Sequence, residues 1–366
     1  MMRLFIEPVD VWTFGDGRPF EAGEDHRRLT LFPPTAHTLQ GAIRSRVLAD
    51  AGVSLKAYLQ RDPACADVAA QIGWPGEGYS RLRLRGPFIA RLVNGQPVVY
   101  HPMPADVLKT KIDNEYEYYV AAPLADAPFI SDAPPGLCPL WVREARVEGA
   151  EGWLSEDALA CYLQTGKLDG KDVVRNEALF IIESRFGVMI DSQFKRPEPG
   201  HLFQMEFVRP RDGVGLVVDV EGVIFCQPRG FLKLGGDSRA ARYTVLPAPS
   251  AQAPPSLPAR FKVVFLTPAY FAGGWQPSNP ARWFEGSNVR LVAAALRRPA
   301  QIGGFDLAKW KAKSGNPQKP LRRHTPAGSV YFFEADGPVS YTGGPFTEDN
   351  AVLGFGQITI GGWNYV

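Results

Sequence analysis

Apolar positions along this chain come mostly in short runs or strict alternation, and stretches with helical spacing are few. Leu4-Phe5-Ile6 predicts an opening strand that Pro8 ends. A loop rich in glycine and charge follows, Phe14-Gly-Asp-Gly-Arg-Pro-Phe20. After Pro33-Pro34, Leu39, Ile43 and Val47 recur at helical spacing with Leu48 beside them. Thr38 is the expected N-cap of this helix, and Gly41-Ala42 would let it pack closely on a sheet. Arg81-Leu-Arg-Leu-Arg85 has the period of a strand, with Leu82 and Leu84 on one face and three arginines on the other. Pro97 to Tyr100 is its expected partner. Ser155 to Gln164 predicts a second helix, capped by Ser155, with Leu159, Tyr162 and Leu163 on its apolar side. Leu179 to Ile182 and His201 to Val208 predict strands that flank a basic stretch.

The second half predicts further strands at Gly215–Val220, Tyr243–Leu246, Phe261–Leu266, Val289–Leu296 and Val330–Phe333. Pro247 to Pro258 is rich in proline, alanine and serine, as a surface connection is. Few helices and no βαβ rhythm predict an α+β fold with antiparallel sheets. A boundary near residue 200 divides the chain into 1–200 and 201–366, about the two domains expected for 366 residues.

Composition adds loops and excludes some classes. The 33 prolines and 37 glycines exceed the roughly 12% of an average protein, so long irregular connections are expected. With 45% hydrophobic and 21% charged residues, a sizeable core can form. A net charge of +2 neither demands nor excludes a polyanionic partner. Of the 40 basic residues 28 are arginine, which suits bidentate phosphate contacts and stacking on bases, and which a GC-rich genome also produces. Cys65, Cys138, Cys161 and Cys226 form no CxxC pair, so no structural zinc site is expected, and isolated cysteines fit a reducing cytoplasm. Glu7, Asp10 and Asp16 stand where a signal peptide would be apolar, and no run suits a membrane span.

Several groups could meet nucleic acid. Arg81, Arg83 and Arg85 form a basic sheet face of the kind on which RRM-like folds hold RNA, though a solvated outer face carries the same pattern. From Arg297 to His324 one acid, Asp306, faces eight basic residues, with Trp310 among them. That mixture suits phosphate tracking and base stacking, or else a flexible solvated loop. Lys195 and Arg196 mark the tip of a hairpin between Arg185–Asp191 and Gly200–Phe203, and could reach a nucleic-acid backbone. The terminus Leu353-Gly-Phe-Gly-Gln-Ile-Thr-Ile-Gly-Gly-Trp363 offers glycines for close backbone approach, or a bulged last strand. Gly235-Gly-Asp-Ser238 resembles the GGDD of polymerase and cyclase palms, but Ser238 replaces the second carboxylate that two-metal chemistry needs. The histidines His26, His37, His101, His201 and His324 are scattered, so neither a metal cluster nor a local dyad is implied.

In their order, these blocks resemble one family. Phe14–Phe20, Phe32-Pro-Pro-Thr-Ala-His-Thr-Leu-Gln-Gly-Ala-Ile-Arg44, Glu183 to Phe203, Leu234-Gly-Gly-Asp-Ser-Arg239 and the glycine-rich terminus look like the third subunit of the Cmr (type III-B CRISPR) effector. That subunit belongs to the repeat-associated mysterious protein (RAMP) superfamily, in its guide-RNA 5′-handle-binding group. The resemblance spans nearly the whole chain and is weakest over 50–150. It implies tandem ferredoxin-like (RRM-like) domains with antiparallel sheets and long insertions. It also implies a non-catalytic, cytoplasmic RNA-binding subunit with no cofactor and no metal. Expected partners are the 5′ handle of the CRISPR RNA, the large polymerase/cyclase-like subunit, a backbone subunit, and target RNA held by the complex. Read together, the residues and the resemblance place RNA against Arg18, His37, Arg44, Arg81, Arg83, Arg185, Lys195, Arg196, Arg239, Gly354, Gly356, Gly361 and Gly362. The alternative within the superfamily is a repeat-RNA processing endoribonuclease with His26 or His37 as base; a third is a structural assembly subunit.

Overall fold

A computed structural model describes residues 1–15, 27–131, 133–144, 146–191, 193–249 and 256–366. The chain forms two compact units, each assembled from three stretches. The first comprises Met1–Pro97, Glu177–Ala248 and Gln301–Arg322, and the second Val98–Asn176, Pro249–Ala300 and Arg323–Val366. The expected division into 1–200 and 201–366 does not coincide with these units. The opening strand pairs with strands more than two hundred residues away, and such pairing decides which stretches pack together.

In the first unit the opening strand, Met2–Pro8, lies between Val214–Glu221 and Ala240–Leu246. Its Leu4, Phe5 and Ile6 are at most 1% exposed, so it is covered on both faces. Arg83–Val93 pairs with the far side of Val214–Glu221, and Arg229–Lys233 adds an edge beyond Ala240–Leu246; every neighbour is antiparallel. The helix Ala36–Asp50 buries Leu39, Ile43, Val47 and Leu48 as its spacing requires. Its N-cap is Thr35 rather than Thr38: Thr35 has the extended backbone of an N-cap (φ −68°, ψ 153°), and the chain turns helical at Ala36. Gly41 is exposed, and an added Cβ there would meet nothing within 4 Å, so only Ala42 serves the close packing expected of the pair. Phe180–Ile190 and Pro197–Pro210 form one long antiparallel hairpin. The basic stretch expected as a loop or nucleic-acid segment is built of Ala300–Phe305, the short helix Leu307–Ala312 and Gln318–His324, the two strands pairing with each other.

In the second unit four antiparallel strands run in the order Val289–Ala295, Val330–Ala335, Arg260–Phe265, Ile358–Gly362. Phe261, Val263 and Phe265 point to one face and join Phe271, Trp283, Tyr331, Phe333 and Phe346 in an aromatic core. Against the other face lies the helix Glu156–Thr165, whose N-cap Ser155 accepts from Ala158 N at 3.2 Å as expected. Gly361 permits that approach: a Cβ there would stand 2.8 Å from the Leu163 carbonyl oxygen. All the apolar runs expected as strands in the second half form strands. Numbered along the chain within each unit, the four main strands of both sheets stand in the order second, third, first, fourth. The fold is thus α+β, rich in strands, with antiparallel sheets. Among the described residues no helix is long and apolar enough to cross a membrane.

Candidate nucleic-acid interface

The long hairpin of the first unit carries two distinct groups of charge. At its tip Asp191 builds the turn, its Oδ1 accepting from Gln193 N and Phe194 N at 2.7 and 2.8 Å. Lys195, at φ 52°, and Arg196 are thereby exposed, with the Arg196 guanidinium 5.2 Å from the Phe194 ring centre. Toward the base, Arg185, Arg209 and Arg239 converge on Asp10 at 3.7, 3.1 and 3.6 Å. Arg185 and Arg239 also stand 4.7 and 4.8 Å from the centre of the buried Phe207 ring. Glu183 receives hydrogen bonds from Arg209 and Arg185, which hold its carboxyl down at about 2. Three guanidiniums against two carboxylates leave a net positive, preorganised patch. The loop Gly235-Gly-Asp-Ser238 serves Arg239: Gly236 N donates to Thr13 O, and Asp237 and Ser238 take positive φ in a turn that closes from Leu234 N to Arg239 O.

Arg81, just before the strand Arg83–Val93, and Arg83 and Arg85 at its start are exposed, while the alternating Leu82 and Leu84 are buried. The register sets Glu221 opposite Arg83 and Asp219 opposite Arg85, and Arg3 pairs with Asp219 at 2.6 Å. Glu221 thus stands beside Arg83, while Asp219 is already paired with Arg3.

A third region is a cleft of about 760 Å³ in the first unit. It brings His37 and Arg44 of the helix Ala36–Asp50 together with Tyr58, Tyr79, Arg28 and the 301–319 segment, including Lys319. Arg44 donates to Tyr58 Oη and to Gly73 O, the latter at 3.0 Å, and its guanidinium lies about 6 Å from the ring centres of both Tyr58 and Tyr79. The tyrosines lie in the stretch 50–150, where the family resemblance is weakest; Tyr79 beside Gly76 and Gly78 is the one local signal in the sequence.

The terminal glycines lie in the second unit. Gly354 and Gly356 have φ of 92° and 66° and are buried. Gly356 accepts from Phe346 N, and an added Cβ would come 2.7 Å from the Phe346 carbonyl oxygen. Gly361 faces Leu163, and Gly362 is exposed. Close approach of the chain's own backbone thus accounts for Gly356 and Gly361. Arg18 and His26 lie outside the described residues. Of the other histidines, His101 and His324 are buried and His201 lies 3.7 Å from Glu198. Among the described residues no three His, Cys, Asp or Glu side chains gather as a metal would need.

A family model described as CRISPR-associated protein (Cas_Cmr3) matches residues 4–363. No curated protein matches the chain. Among solved structures, a chain of the type III-B Cmr-beta bound to cognate target RNA and AMPPnP is similar at 12% identity and a TM-score of 0.48, over 90% of this chain and 86% of that one. A chain of the Csm3-Csm4 subcomplex of the type III-A CRISPR-Cas interference complex is similar at 10% identity and a TM-score of 0.34, over 94% and 100%.

Proposed function

Because the chain belongs to the Cas_Cmr3 family of CRISPR-associated proteins, we propose that it is a non-catalytic, RNA-binding subunit of a type III-B effector ribonucleoprotein. In this reading it holds the 5′ handle of the guide RNA, docks the large polymerase/cyclase-like subunit and a backbone subunit, and works in the cytoplasm. The observation that carries it is the family match across residues 4–363. Three groups of basic residues in the first unit support it: the hairpin tip, the Arg185–Arg209–Arg239 cluster, and the Arg44 cleft. Each presents guanidinium or ammonium groups suited to phosphate oxygens. The strand order common to both sheets is that of a ferredoxin-like sheet, which supports tandem ferredoxin-like units with the 301–322 and 98–176 stretches as insertions.

Labelled repeat RNA mixed with the purified chain tests this. The expected result is retention of the RNA without cleavage, with or without divalent metal, and co-purification of a tagged chain with RNA and other proteins. Cleavage abolished by His37→Ala would instead make the chain a processing endoribonuclease. Neither binding nor cleavage would leave an assembly role.

A further inference from the structure

Resting on that RNA-binding reading, we infer that the first unit's cleft seats one unpaired nucleotide of a single-stranded RNA, its base against the exposed rings of Phe305 and Trp310 and its phosphate toward Arg44. The volume, about 760 Å³, lies within the roughly 300–1,000 Å³ of small-ligand sites. Six glycines line it, Gly15, Gly41, Gly76, Gly78, Gly303 and Gly304, so backbone and open space form much of its wall. At Gly41, Gly76 and Gly78 an added Cβ would meet nothing within 4 Å, so these positions look onto empty space.

Charge and aromatic surface then select the occupant. The described lining includes the cations Arg44 and Lys319 and one acid, Asp306. That acid's Oδ1 is spent capping the short helix, accepting from Ala308 N and Lys309 N at 3.0 and 3.1 Å. Arg44 is fixed by Tyr58 Oη and Gly73 O, so little side-chain entropy is lost when an anion meets it. Phe305, which lines the cleft, and Trp310, which packs against it, are each 54% exposed, with ring centres 6.5 Å apart and planes tilted by 54°. Lys309 and Lys311 flank Trp310 on the same short helix, and Lys319 lies across Gly304. Exposed aromatics among lysines, next to an anion-seeking guanidinium, suit an unstacked base and its phosphate, whereas the bases of a duplex stay stacked on one another.

Gly41→Leu is the decisive variant. The position is helical and open, so leucine should keep or raise the melting temperature while its side chain fills the cleft. Binding of a short fluorescein-labelled single-stranded RNA of the repeat sequence is followed by anisotropy in low salt, with full-length chain. Gly41→Leu is expected to weaken binding at least about tenfold, and Trp310→Ala by about fivefold to a hundredfold, the range for one lost base stack. A 4-thiouridine version of the RNA should crosslink to the 301–319 segment or to Tyr79, and the annealed duplex should compete poorly. Unchanged affinity in both variants, or crosslinks confined to the hairpin tip, overturns the pocket while leaving RNA binding standing. No RNA bound by the wild-type chain overturns both. If Gly41→Leu does not fold, Trp310→Ala and the crosslinks decide alone, because Trp310 is a surface residue.

Discussion

Removing the ammonium of Lys262 tests how the second unit is held together. Lys262 is 2% exposed, and its Nζ donates to Asp106 Oδ2 at 3.0 Å and to Tyr162 Oη at 2.6 Å. Tyr162 in turn donates to Asp106 at 2.6 Å, and its ring centre lies 3.9 Å from the ammonium. Burial, and then the Asp106 charge, pushes the Tyr162 phenol well above its ordinary pKa, so it remains a proton donor. The cluster ties the strand Arg260–Phe265, the helix Glu156–Thr165 and the segment preceding Val107 into one body. Lys262→Met keeps the length and apolar stem but leaves Asp106 buried with a single neutral partner. Breaking such a pair costs about 3–5 kcal/mol. At roughly 2–4 °C per kcal/mol for a unit of this size, the melting temperature should fall by about 10 °C. The triple variant Lys262→Met/Asp106→Leu/Tyr162→Phe removes all the polar groups together and should recover most of the loss, because a well-packed apolar replacement is often neutral. Calorimetry of the full chain measures both. A Lys262→Met protein as stable as wild type, or a triple variant showing the sum of the single losses, would refute the coupling.

Three further outcomes are expected. Gly356→Ala, at φ 66° and with an added Cβ 2.7 Å from Phe346 O, should destabilise the second unit by more than about 1 kcal/mol, and an unchanged melting curve would contradict that. Because Arg209 and Arg185 depress the Glu183 carboxyl to about 2 from 4.5, the stability it contributes is present above pH 4.5 and lost as pH falls toward 2. The gap in melting temperature between wild type and Glu183→Gln should therefore narrow over that window; a constant gap would show that ionisation is not the source. RNA affinity should fall with salt, and Lys195→Ala/Arg196→Ala should flatten the logarithmic slope by up to about 1.4, at about 0.7 per phosphate of a single strand; an unchanged slope would remove the hairpin tip from the interface.

Local chemistry was legible where one stretch of chain determines the outcome. Leu82 and Leu84 face in and Arg81, Arg83 and Arg85 face out because a strand has period two, whatever lies next to it. Ser155 caps its helix because its hydroxyl needs only the amide three residues on. Thr35 and Thr38 both follow Pro34, and the cap falls to Thr35, which keeps the extended backbone an N-cap takes. What spacing could not reveal is adjacency, since the opening strand pairs with strands more than two hundred residues away.

The basic residues make the consequence concrete. In sequence Arg44, Arg185, Lys195 and Arg239 carry the same charge, and a net +2 says nothing about where it is felt. Folding separates them by the company they keep. Arg185 and Arg239 share Asp10, more than 170 residues away, so a phosphate arriving there must compete with a carboxylate already in place. Arg83 stands opposite Glu221 on the neighbouring strand. Arg44 is instead held by a phenol and a carbonyl, neutral acceptors that fix its direction without cancelling its charge. Lys195 and Arg196 project from a turn whose acid, Asp191, is occupied with backbone amides. A polyanion is drawn most strongly where positive charge is oriented but not neutralised. On the RNA-binding proposal, the strongest phosphate contacts are therefore expected at the cleft and at the hairpin tip, ahead of the arginine-rich strand that is the most conspicuous basic motif in the sequence.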